Sequence, residues 1–323
     1  MRVLKKYMAS LCLCLVLLLL VGCGLTQNDT KQKHFNGVEG YSITDVTGTK
    51  LTFQEKPKRI VSLSLGVDEI LLDMVSADRI IAVTYLADNP TISSVSVKAR
   101  AIGKRTRGNS PEAIIALKPD LVIMPDWAGM DTAKTLRDMG LTIYIYKTPT
   151  SLKEIEKSII DIACLVDEKA TGEKMVEKMQ NKLKATWAIV GKLPTNKKRT
   201  IVALSQMGAF GAKGTTFDDL CKHANVVNGV ALTGITKNES LSKEQIVAIN
   251  PDVLLLPSWD STDSGKLNKY IQDVKDDPAY KDIKAIRNNR FIYVHDNYLY
   301  SISQYAVNAV DELAREVYPE LYK

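Results

Sequence analysis

Residues 110–127, SPEAIIALKPDLVIMPDW, and residues 242–259, SKEQIVAINPDVLLLPSW, are two versions of one segment. Eight of the eighteen aligned positions are identical: Ser, Glu, Ile, Ala, a Pro-Asp pair, a second Pro and a final Trp. In each version a Ser suited to a helix N-cap precedes a short apolar helix, Pro-Asp ends that helix, and four apolar residues follow as a buried strand. The segment predicts one helix–strand unit of a parallel sheet in each half of the chain.

The residues around each segment continue the alternation of strands and helices. Residues 60–64 predict a buried strand that turns at Gly66 into a helix, and residues 200–205 repeat that strand at nearly the same distance from the second segment. Strands that alternate with helices are typical of parallel sheets covered by helices. The sequence therefore predicts an α/β protein of two similar lobes with mainly parallel sheets and a ligand cleft between them.

A single long helix is predicted between the two halves. Residues 168–190 contain no proline and carry apolar residues near helical spacing. At ~1.5 Å per residue this helix would span roughly 34 Å, which is longer than a helix covering one small sheet needs to be. We interpret it as a strut between the lobes. The predicted boundaries are an N-terminal lobe at 41–166, a connecting helix at 167–192 and a C-terminal lobe at 193–323.

The N-terminus has the pattern of a secretory signal. Three basic residues precede the apolar run 11–21, which is too short to span a bilayer. The run ends in Leu-Val-Gly-Cys at residues 20–23, which resembles the lipobox of bacterial lipoproteins. The resemblance implies cleavage of a signal peptide at 1–22, a diacylglycerol on Cys23, and a lipidated flexible tether at 23–40. A plain signal peptide with an incidental cysteine is the alternative. The expected location is the extracytoplasmic face of the cell membrane.

Charge and cysteine content exclude several classes of protein. Removing residues 1–22 lowers the formal net charge from +6 to +3, because three basic residues and no acid are lost. No run of five like charges remains, so we expect no nucleic-acid partner. Cys164 and Cys221 lie on predicted helices far apart in sequence, and we interpret them as free thiols. The three histidines are also far apart, and no metal site is predicted.

An enzyme is not predicted. Ser62, Ser64 and Ser205 lie near strand ends, but no GxSxG motif surrounds them. The glycines at 208–214 are not followed by Lys-Ser or Lys-Thr, so they do not form a P-loop. The chain offers no nucleophile with a base and no metal set that a catalytic reading would require.

With the paired segments, the long helix and the lipobox together, the whole mature chain resembles the substrate-binding lipoproteins of ABC importers for iron–siderophore complexes, haem and cobalamin. The resemblance implies two α/β lobes joined by one helix, a shallow cleft and small closure on ligand binding. It implies partners as well: a permease dimer with its ATPase. Glu112 and Glu244 occupy the positions from which family members present one glutamate per lobe to arginine pockets of the permease. Favourable interaction with a helix N-terminus is the alternative role of both acids.

The ligand site is expected beyond the carboxyl ends of the strands, where open α/β sheets bind ligands. Aromatic side chains at several strand ends suit a flat or bulky ligand. A core or surface role for any single one of them is the alternative. From the basic cluster Lys104, Arg105 and Arg107 we select Arg105 as a partner for an anionic ligand. The predicted ligand-binding residues are Tyr85, Arg105, Trp127, Met207, Trp259, Tyr298 and Tyr300.

The predicted function is capture of an iron–siderophore or a related metal chelate for an ABC importer, with no intrinsic cofactor. The basic cluster puts siderophores first, and the tryptophans at the two segment ends put cobalamin second. Haem is third, since His295 and Met207 could be axial ligands but are better explained by packing or surface roles. A surface sensor or adhesion lipoprotein is the alternative from a different class.

Overall fold

The computed structural model describes residues 40–205, 208–236, 241–258 and 265–323, which begin with an antiparallel hairpin. Strand β1 (Tyr41–Thr44) pairs with β2 (Lys50–Phe53) and places Tyr41 opposite Phe53. The two rings stack 5.2 Å apart, and the Tyr41 hydroxyl donates to the Leu165 carbonyl at 2.9 Å. The hairpin therefore packs against a helix that lies more than a hundred residues further along the chain.

Five parallel strands form the sheet of the first lobe. They are β3 (Ile60–Ser62), β4 (Ile80–Thr84), β5 (Lys104–Thr106), β6 (Leu121–Pro125) and β7 (Ile143–Tyr146). Their spatial order is β5-β4-β3-β6-β7, so the chain reverses its direction of travel across the sheet between β3 and β6. Ligands of open α/β sheets bind outside the carboxyl ends of the strands at such a reversal.

Serine N-caps begin three helices of this lobe. The side chains of Ser64, Ser110 and Ser151 accept from backbone N–H groups in the first turns that follow them. Short 3-10 helices at Tyr85–Asp88 and Asp126–Ala128 follow β4 and β6. The helices of the lobe are α1 (Leu65–Met74), α2 (Ser96–Ala99), α3 (Pro111–Ala116), α4 (Met130–Asp138) and α5 (Leu152–Leu165).

A helix of 22 residues, α6 (Lys169–Val190), leads from the first lobe to the second. It packs closely on α5 at Gly172, where a Cβ atom would lie 2.4 Å from the Ala163 Cβ. Glycine at this position allows the two helices to approach this closely. Gly191 follows the last residue of α6, and its N–H donates to the Trp187 carbonyl.

The second lobe repeats the strand order of the first. Its strands are β8 (Thr200–Ser205), β9 (Gly208–Phe210), β10 (Val227–Asn228), β11 (Val253–Leu255) and β12 (Phe291–Ile292). The parallel order β10-β8-β11-β12 matches β4-β3-β6-β7, and β9 is added antiparallel to β8. The helices of the lobe are α7 (Thr216–His223), α8 (Lys243–Ile249), α9 (Lys266–Asp276), α10 (Lys284–Arg287), α11 (Asp296–Leu299) and α12 (Ala306–Val317).

The aspartate of each repeated Pro-Asp pair holds the start of the neighbouring strand. Asp120 accepts from the backbone N–H groups of Lys58 and Arg59 at 2.7 and 2.9 Å, just before β3. Asp252 accepts from the N–H of Thr200, the first residue of β8, at 2.9 Å. In both lobes the aspartate therefore binds backbone N–H groups at the start of a strand. The sequence had indicated the Pro-Asp pair only as the end of a helix.

One hydrophobic core joins the inner faces of both sheets. Ile60 and Ile123 of the first lobe and Ile201 and Leu255 of the second belong to a single buried cluster. Helices α5, α6 and α12 complete that cluster. The outer face of each sheet has a separate, smaller cluster of its own. Because close-packed interiors resist deformation, we expect this shared core to limit relative movement of the two lobes.

The predicted fold class of two parallel-sheet α/β lobes is confirmed, and several elements differ from prediction. The basic cluster lies partly on the edge strand β5 rather than in a loop. The terminal helix begins at Ala306 rather than Ser303. Strands β9 and β10 were not predicted, because two or three residues carry too little periodicity. Among the described residues, no helix combines the length and the apolar content that a membrane span requires.

Candidate ligand-binding cleft

A cavity of about 360 Å³ opens at the carboxyl ends of the first-lobe strands. Residues that follow or end all five parallel strands of that lobe line it, and residues 300–302 form its wall from the second lobe. The volume falls within the ~300–1,000 Å³ range of small-molecule sites. The fold therefore places a concave site at the reversal of strand order and between the lobes.

Three aromatic side chains surround the opening. Tyr85, Trp127 and Tyr300 line the cavity and remain 44%, 69% and 48% exposed. The residue before Trp127 is Asp126, and its carboxylate accepts from the backbone N–H and the hydroxyl of Thr148. Exposed rings of this kind offer a large apolar contact area at a low cost in rotamer freedom.

A cation contacts one of these rings from outside the cavity lining. The Arg107 guanidinium lies over the Tyr85 ring, 4.7 Å from its centroid. A cation at this distance is attracted to the face of the ring. The arrangement brings a positive charge to the rim of the cleft, whereas no described lining residue is a Lys or Arg.

Hydroxyl groups form the floor of the cavity. Ser64 Oγ and Tyr146 Oη lie 2.7 Å apart, and both side chains are buried. Burial raises the pKa of the Tyr146 hydroxyl, which keeps it protonated at neutral pH. The Thr84 hydroxyl donates to the Asp68 carboxylate, and the Thr106 hydroxyl donates to the Ser62 carbonyl at 3.2 Å. The floor is neutral and suited to hydrogen bonding.

Glu69 is the one charged side chain among the described residues that line the cavity. Its Oε1 accepts from the Ser94 backbone N–H at 2.9 Å, and its Oε2 accepts from the hydroxyls of Ser301 and Ser303 at 2.8 and 2.6 Å. Burial raises the pKa of this carboxyl, while the hydrogen bonds oppose that change. All of these partners are protein groups, so the carboxylate is already satisfied without a ligand.

The structure brings together three of the seven predicted ligand residues: Tyr85, Trp127 and Tyr300. Two others, Met207 and Trp259, lie outside the described residues. Arg105 and Tyr298 do not line the cavity. A ligand-contacting role stays a prediction for each of the seven.

Arg105 uses all five of its N–H groups within the protein. Two of them bind the Asp88 carboxylate in a bidentate pair, each at 2.7 Å. The other three donate to the carbonyls of Ala99, Ile102 and Lys104. Because the guanidinium has five donors and no acceptor, no donor remains for a ligand in this arrangement.

Tyr298 is half-buried against the shared core, and its ring centroid lies 5.8 Å from that of His295. His295 in turn shares a hydrogen bond of 2.9 Å between its Nδ1 and the Glu312 carboxylate. Neither residue lines the cavity. The Glu312 contact fits a packing or surface role for His295, and its role stays a prediction.

Sequence reasoning did not select four lining residues that shape the cavity: Ser64, Glu69, Tyr146 and Ile302. Tyr146 ends β7, so the strand-end rule that selected Tyr85 also applies to it. Glu69 has no signal in the sequence, because it lies on the opposite side of its helix from the apolar face predicted at Val67, Ile70, Leu71 and Met74. Ile302 lies in an irregular connection, and no local sequence pattern indicates that it would line the cavity.

Glu112 and Glu244 are both exposed in the first turns of α3 and α8. The Ser110 hydroxyl donates to Glu112 at 2.7 Å, and hydrogen bonding to this hydroxyl lowers the pKa of Glu112. The pKa of Glu244 is likewise lowered, first by its own backbone N–H and then by Ser242. Both carboxylates are therefore ionised and open to a partner at neutral pH.

No group of three or more His, Cys, Asp or Glu side chains within the described ranges is arranged to hold a metal ion. Cys221 is fully buried and Cys164 partly buried, and neither forms a disulfide. Burial raises the pKa of the Cys221 thiol, which makes it unreactive at neutral pH. The chemistry that the cleft offers is aromatic contact and hydrogen bonding.

Comparison with known proteins extends these observations. The sequence pattern of the periplasmic binding protein family matches residues 60–298. Over 320 residues the chain is 26% identical to YvrC of Bacillus subtilis (strain 168), an uncharacterised ABC transporter substrate-binding lipoprotein, and the match covers 96% of each chain. Over 291 residues it is 27% identical to the Fe(3+)-citrate-binding protein YfmC of the same strain, covering 86% of this chain and 85% of YfmC.

Solved structures support the fold. The apo form of the periplasmic haem-binding protein RhuT from Roseiflexus sp. RS-1 superposes with a TM-score of 0.69 at 23% sequence identity. The superposition covers 82% of this chain and 99% of RhuT. At this level of identity the likeness concerns the architecture of two lobes.

Proposed function

This chain belongs to the periplasmic binding protein family, and we propose that it captures a metal chelate outside the cytoplasm and delivers it to an ABC importer. The observation that carries the proposal is the cavity between the lobes, which Tyr85, Trp127 and Tyr300 surround. Exposed aromatic rings around a neutral floor suit a bulky ligand with flat or apolar faces. The likeness to YvrC over nearly its whole length supports the transporter role.

The charge of the lining narrows the class of chelate. The described lining contains no Lys or Arg, and Arg105, the cation expected to meet an anion, is saturated by Asp88 and three carbonyls. A buried anionic ligand without a cationic partner would lose hydration without compensation. We therefore favour an iron–siderophore of low net charge, such as a ferric hydroxamate, in which three monoanionic groups offset Fe³⁺. Ferric citrate, ferric catecholates and haem carry negative charge that no described lining residue neutralises, and among the described residues the Arg107 guanidinium at the rim, over the Tyr85 ring, is the cation placed to approach such a ligand.

The absence of Lys and Arg from the described lining also favours cobalamin, as the second candidate. Its corrin ring offers a broad face to aromatic side chains, and its amide groups can bind the hydroxyls of the cavity floor. The cavity of about 360 Å³ would hold only part of so large a molecule. The remainder would project between the lobes and past the exposed ring of Trp127.

Titration of the purified protein with five chelates tests this proposal. Ferric hydroxamate, cyanocobalamin, ferric citrate, ferric catecholate and haemin are added in turn, and both tryptophan fluorescence and visible absorption are followed. We expect saturable binding of ferric hydroxamate or cyanocobalamin, at least about tenfold tighter than the three anionic chelates. Absence of binding by all five would refute the chelate assignment. A preference for an anionic chelate would refute the argument from charge.

Attachment to the membrane is proposed to occur through Cys23, which lies outside the described residues. The lipobox pattern at 20–23 and the name of YvrC as a lipoprotein support it. A Cys23→Ala variant is expected to lose incorporation of labelled palmitate and to leave the membrane fraction. A variant that keeps its label and stays with membranes would contradict the anchor.

A partner surface is proposed at Glu112 and Glu244. One exposed carboxylate at the equivalent position of each lobe fits a permease built from two related subunits, because bidentate Arg–carboxylate pairs fix register. Both lie at helix starts within the repeated segment, so the spacing between them is set by the rigid lobes. The two acids would thus orient the protein on the importer.

A further inference from the structure

The wall that the second lobe contributes to the cavity is attached to the first lobe. Tyr300, Ser301 and Ile302 form this wall, between α11 and α12. The connection 301–305 has no regular secondary structure of its own, so its position depends on side-chain contacts. The contacts come from α1 in the first lobe.

Glu69 of α1 supplies the central contact. Its buried carboxylate accepts from both Ser301 and Ser303, residues more than 230 positions away, and from the backbone N–H of Ser94 in its own lobe. The hydroxyl oxygens of Ser301 and Ser303 lie 2.8 Å apart, so the two groups that donate to Glu69 are close neighbours. Hydrogen bonds to a charged, buried acceptor are stronger than neutral ones.

One turn further along α1, Asp73 holds the next two residues of the connection. Its Oδ2 accepts from Gln304 Nε2 and from the Tyr305 hydroxyl, each at 2.8 Å. Gln304 Nε2 also donates to the Glu69 carbonyl. Residues four apart on a helix lie on the same face, so one face of α1 binds the whole of segment 301–305.

Gly66 gives independent support for this close contact. A Cβ atom at this position would lie 2.5 Å from Ile302 Cγ1. The first turn of α1 and the cavity wall therefore touch without room for a methyl group. This packing and the carboxylate bonds hold the same few residues in place.

We propose that Glu69 is a positioning residue, whose carboxylate clamps segment 301–305 onto α1 and so preforms the wall of the cavity before a ligand arrives. As a statement about ligand binding, this rests on the proposed function. While Glu69 holds segment 301–305 in place, ligand binding does not include the entropic cost of ordering that segment. Without the clamp, the loop samples other positions, and Tyr300 loses its fixed place.

Two variants, called the clamp variants below, remove the hydrogen bonds between Glu69 and the serines of segment 301–305, one by a change in each lobe. Glu69→Ala removes the acceptor, and Ser301→Ala with Ser303→Ala removes the two donors from the second lobe. Glu69→Gln is the conservative variant, because its amide can accept from Ser94 N–H and donate to the two hydroxyl oxygens. The matched control is Ser94→Ala, which removes two hydrogen bonds with Asn297 across the lobes, one to its carbonyl and one from its side-chain amide, and leaves the N–H that Glu69 uses.

Amide hydrogen exchange without ligand is the first measurement. Glu69→Ala and the double serine variant are each expected to speed exchange at residues 301–305 by about tenfold, while the sheet amides keep their protection. Glu69→Gln and Ser94→Ala should stay close to the unmodified protein. Unchanged exchange at 301–305 in both clamp variants, or faster exchange over the whole core, would overturn the proposal.

Ligand affinity is the second measurement, with ferric hydroxamate and cyanocobalamin as probes. We expect both clamp variants to weaken binding about tenfold or more, and Glu69→Gln to restore most of it. Full affinity in variants whose loop is loosened would overturn the link to binding. If the unmodified protein binds neither probe but binds an anionic chelate, that chelate becomes the probe. If it binds none of the five chelates, the proposed function fails, and hydrogen exchange alone then decides whether Glu69 holds segment 301–305.

Discussion

Tyr85, Trp127 and Tyr300 reach one cleft from three separate connections, after β4, after β6 and before α12. The positions of Tyr85 and Trp127 after strands made them predictable from the sequence, because strand ends of a parallel sheet meet at one edge, whereas Tyr300 follows helix α11. Arg105 was selected for its charge alone. Its bidentate bond to Asp88 depends on a loop whose path the sequence does not indicate. Charge in a sequence does not reveal whether a neighbour already neutralises it.

Glu154 shows a different effect at the residue scale. Its carboxylate accepts from Lys147 Nζ at 2.6 Å and from the backbone N–H of Thr150 at 2.8 Å. The Lys147 hydrogen bond, followed by the Thr150 bonds, lowers the pKa of Glu154 to about 2. A carboxyl whose pKa is lower in the folded protein stabilises it above the unfolded pKa, and that contribution is lost as pH falls.

Glu154→Gln is expected to lower the free energy of unfolding at pH 7 by about 1 kcal/mol, because the partly exposed ion pair is screened by water. The difference from the unmodified protein should shrink as pH falls below about 4.5 and disappear near pH 2. Urea unfolding at several pH values measures it, with Glu156→Gln as the control. A difference that stays constant from pH 7 to pH 2 would contradict the account.

At the scale of single elements, the repeated Pro-Asp pair links sequence to sheet order. Each aspartate binds the backbone N–H groups at the start of the strand beside its own, β3 in one lobe and β8 in the other. Immediately after these contacts along the chain, β3 pairs with β6 and β8 pairs with β11. The repeat therefore fixes which strands become neighbours.

Asp120→Ala should lower the free energy of unfolding by about 1–2 kcal/mol, because the N–H groups of Lys58 and Arg59 lose their acceptor. Asp120→Asn keeps one acceptor oxygen and should cost about half as much. Thermal and urea unfolding are the measurements, and Asp138→Ala at the exposed end of α4 is the control, with a change within about 0.5 kcal/mol. Equal stability of Asp120→Ala and Asp138→Ala would exclude the proposed contact.

Short and irregular elements were beyond sequence prediction. Strands β9 and β10 have three and two residues, and β5, which carries Lys104 and Arg105, was not predicted as a strand. Their strand geometry comes from pairing with β8 and β4, which is a tertiary effect. The connection 301–305 is held by Glu69 and Asp73 in the other lobe, and no local pattern encodes such a distant partner.

At the scale of the whole molecule, a shared hydrophobic core joins the two lobes that form the cleft. The inner faces of both sheets and helices α5, α6 and α12 belong to one buried cluster. Opening the cleft widely would separate these close-packed side chains. The repeat and the long helix were sufficient to predict two lobes, whereas the continuity of the core required the structure.

Docking of the protein onto the permease is predicted to involve one glutamate from each lobe. Glu112→Ala with Glu244→Ala should leave ligand affinity unchanged and reduce cellular uptake of the bound chelate by at least about tenfold, because both anchor points are lost. Radiolabelled uptake measures it, with Glu173→Ala and Glu177→Ala on the exposed side of α6 as the matched control. Normal uptake by the Glu112 and Glu244 double variant would favour a role limited to the helix N-termini.

The central claim is that the aromatic cleft between the lobes is the ligand site, and calorimetric titration of one double variant tests it most directly. Trp127→Ala with Tyr300→Ala removes two rings from the opening, while Trp187→Ala removes a half-exposed tryptophan from the connecting helix. With ferric hydroxamate or cyanocobalamin as ligand, we predict at least about a hundredfold weaker binding for the double variant and unchanged binding for Trp187→Ala. Equal affinity of the double variant and the unmodified protein would place the ligand site elsewhere.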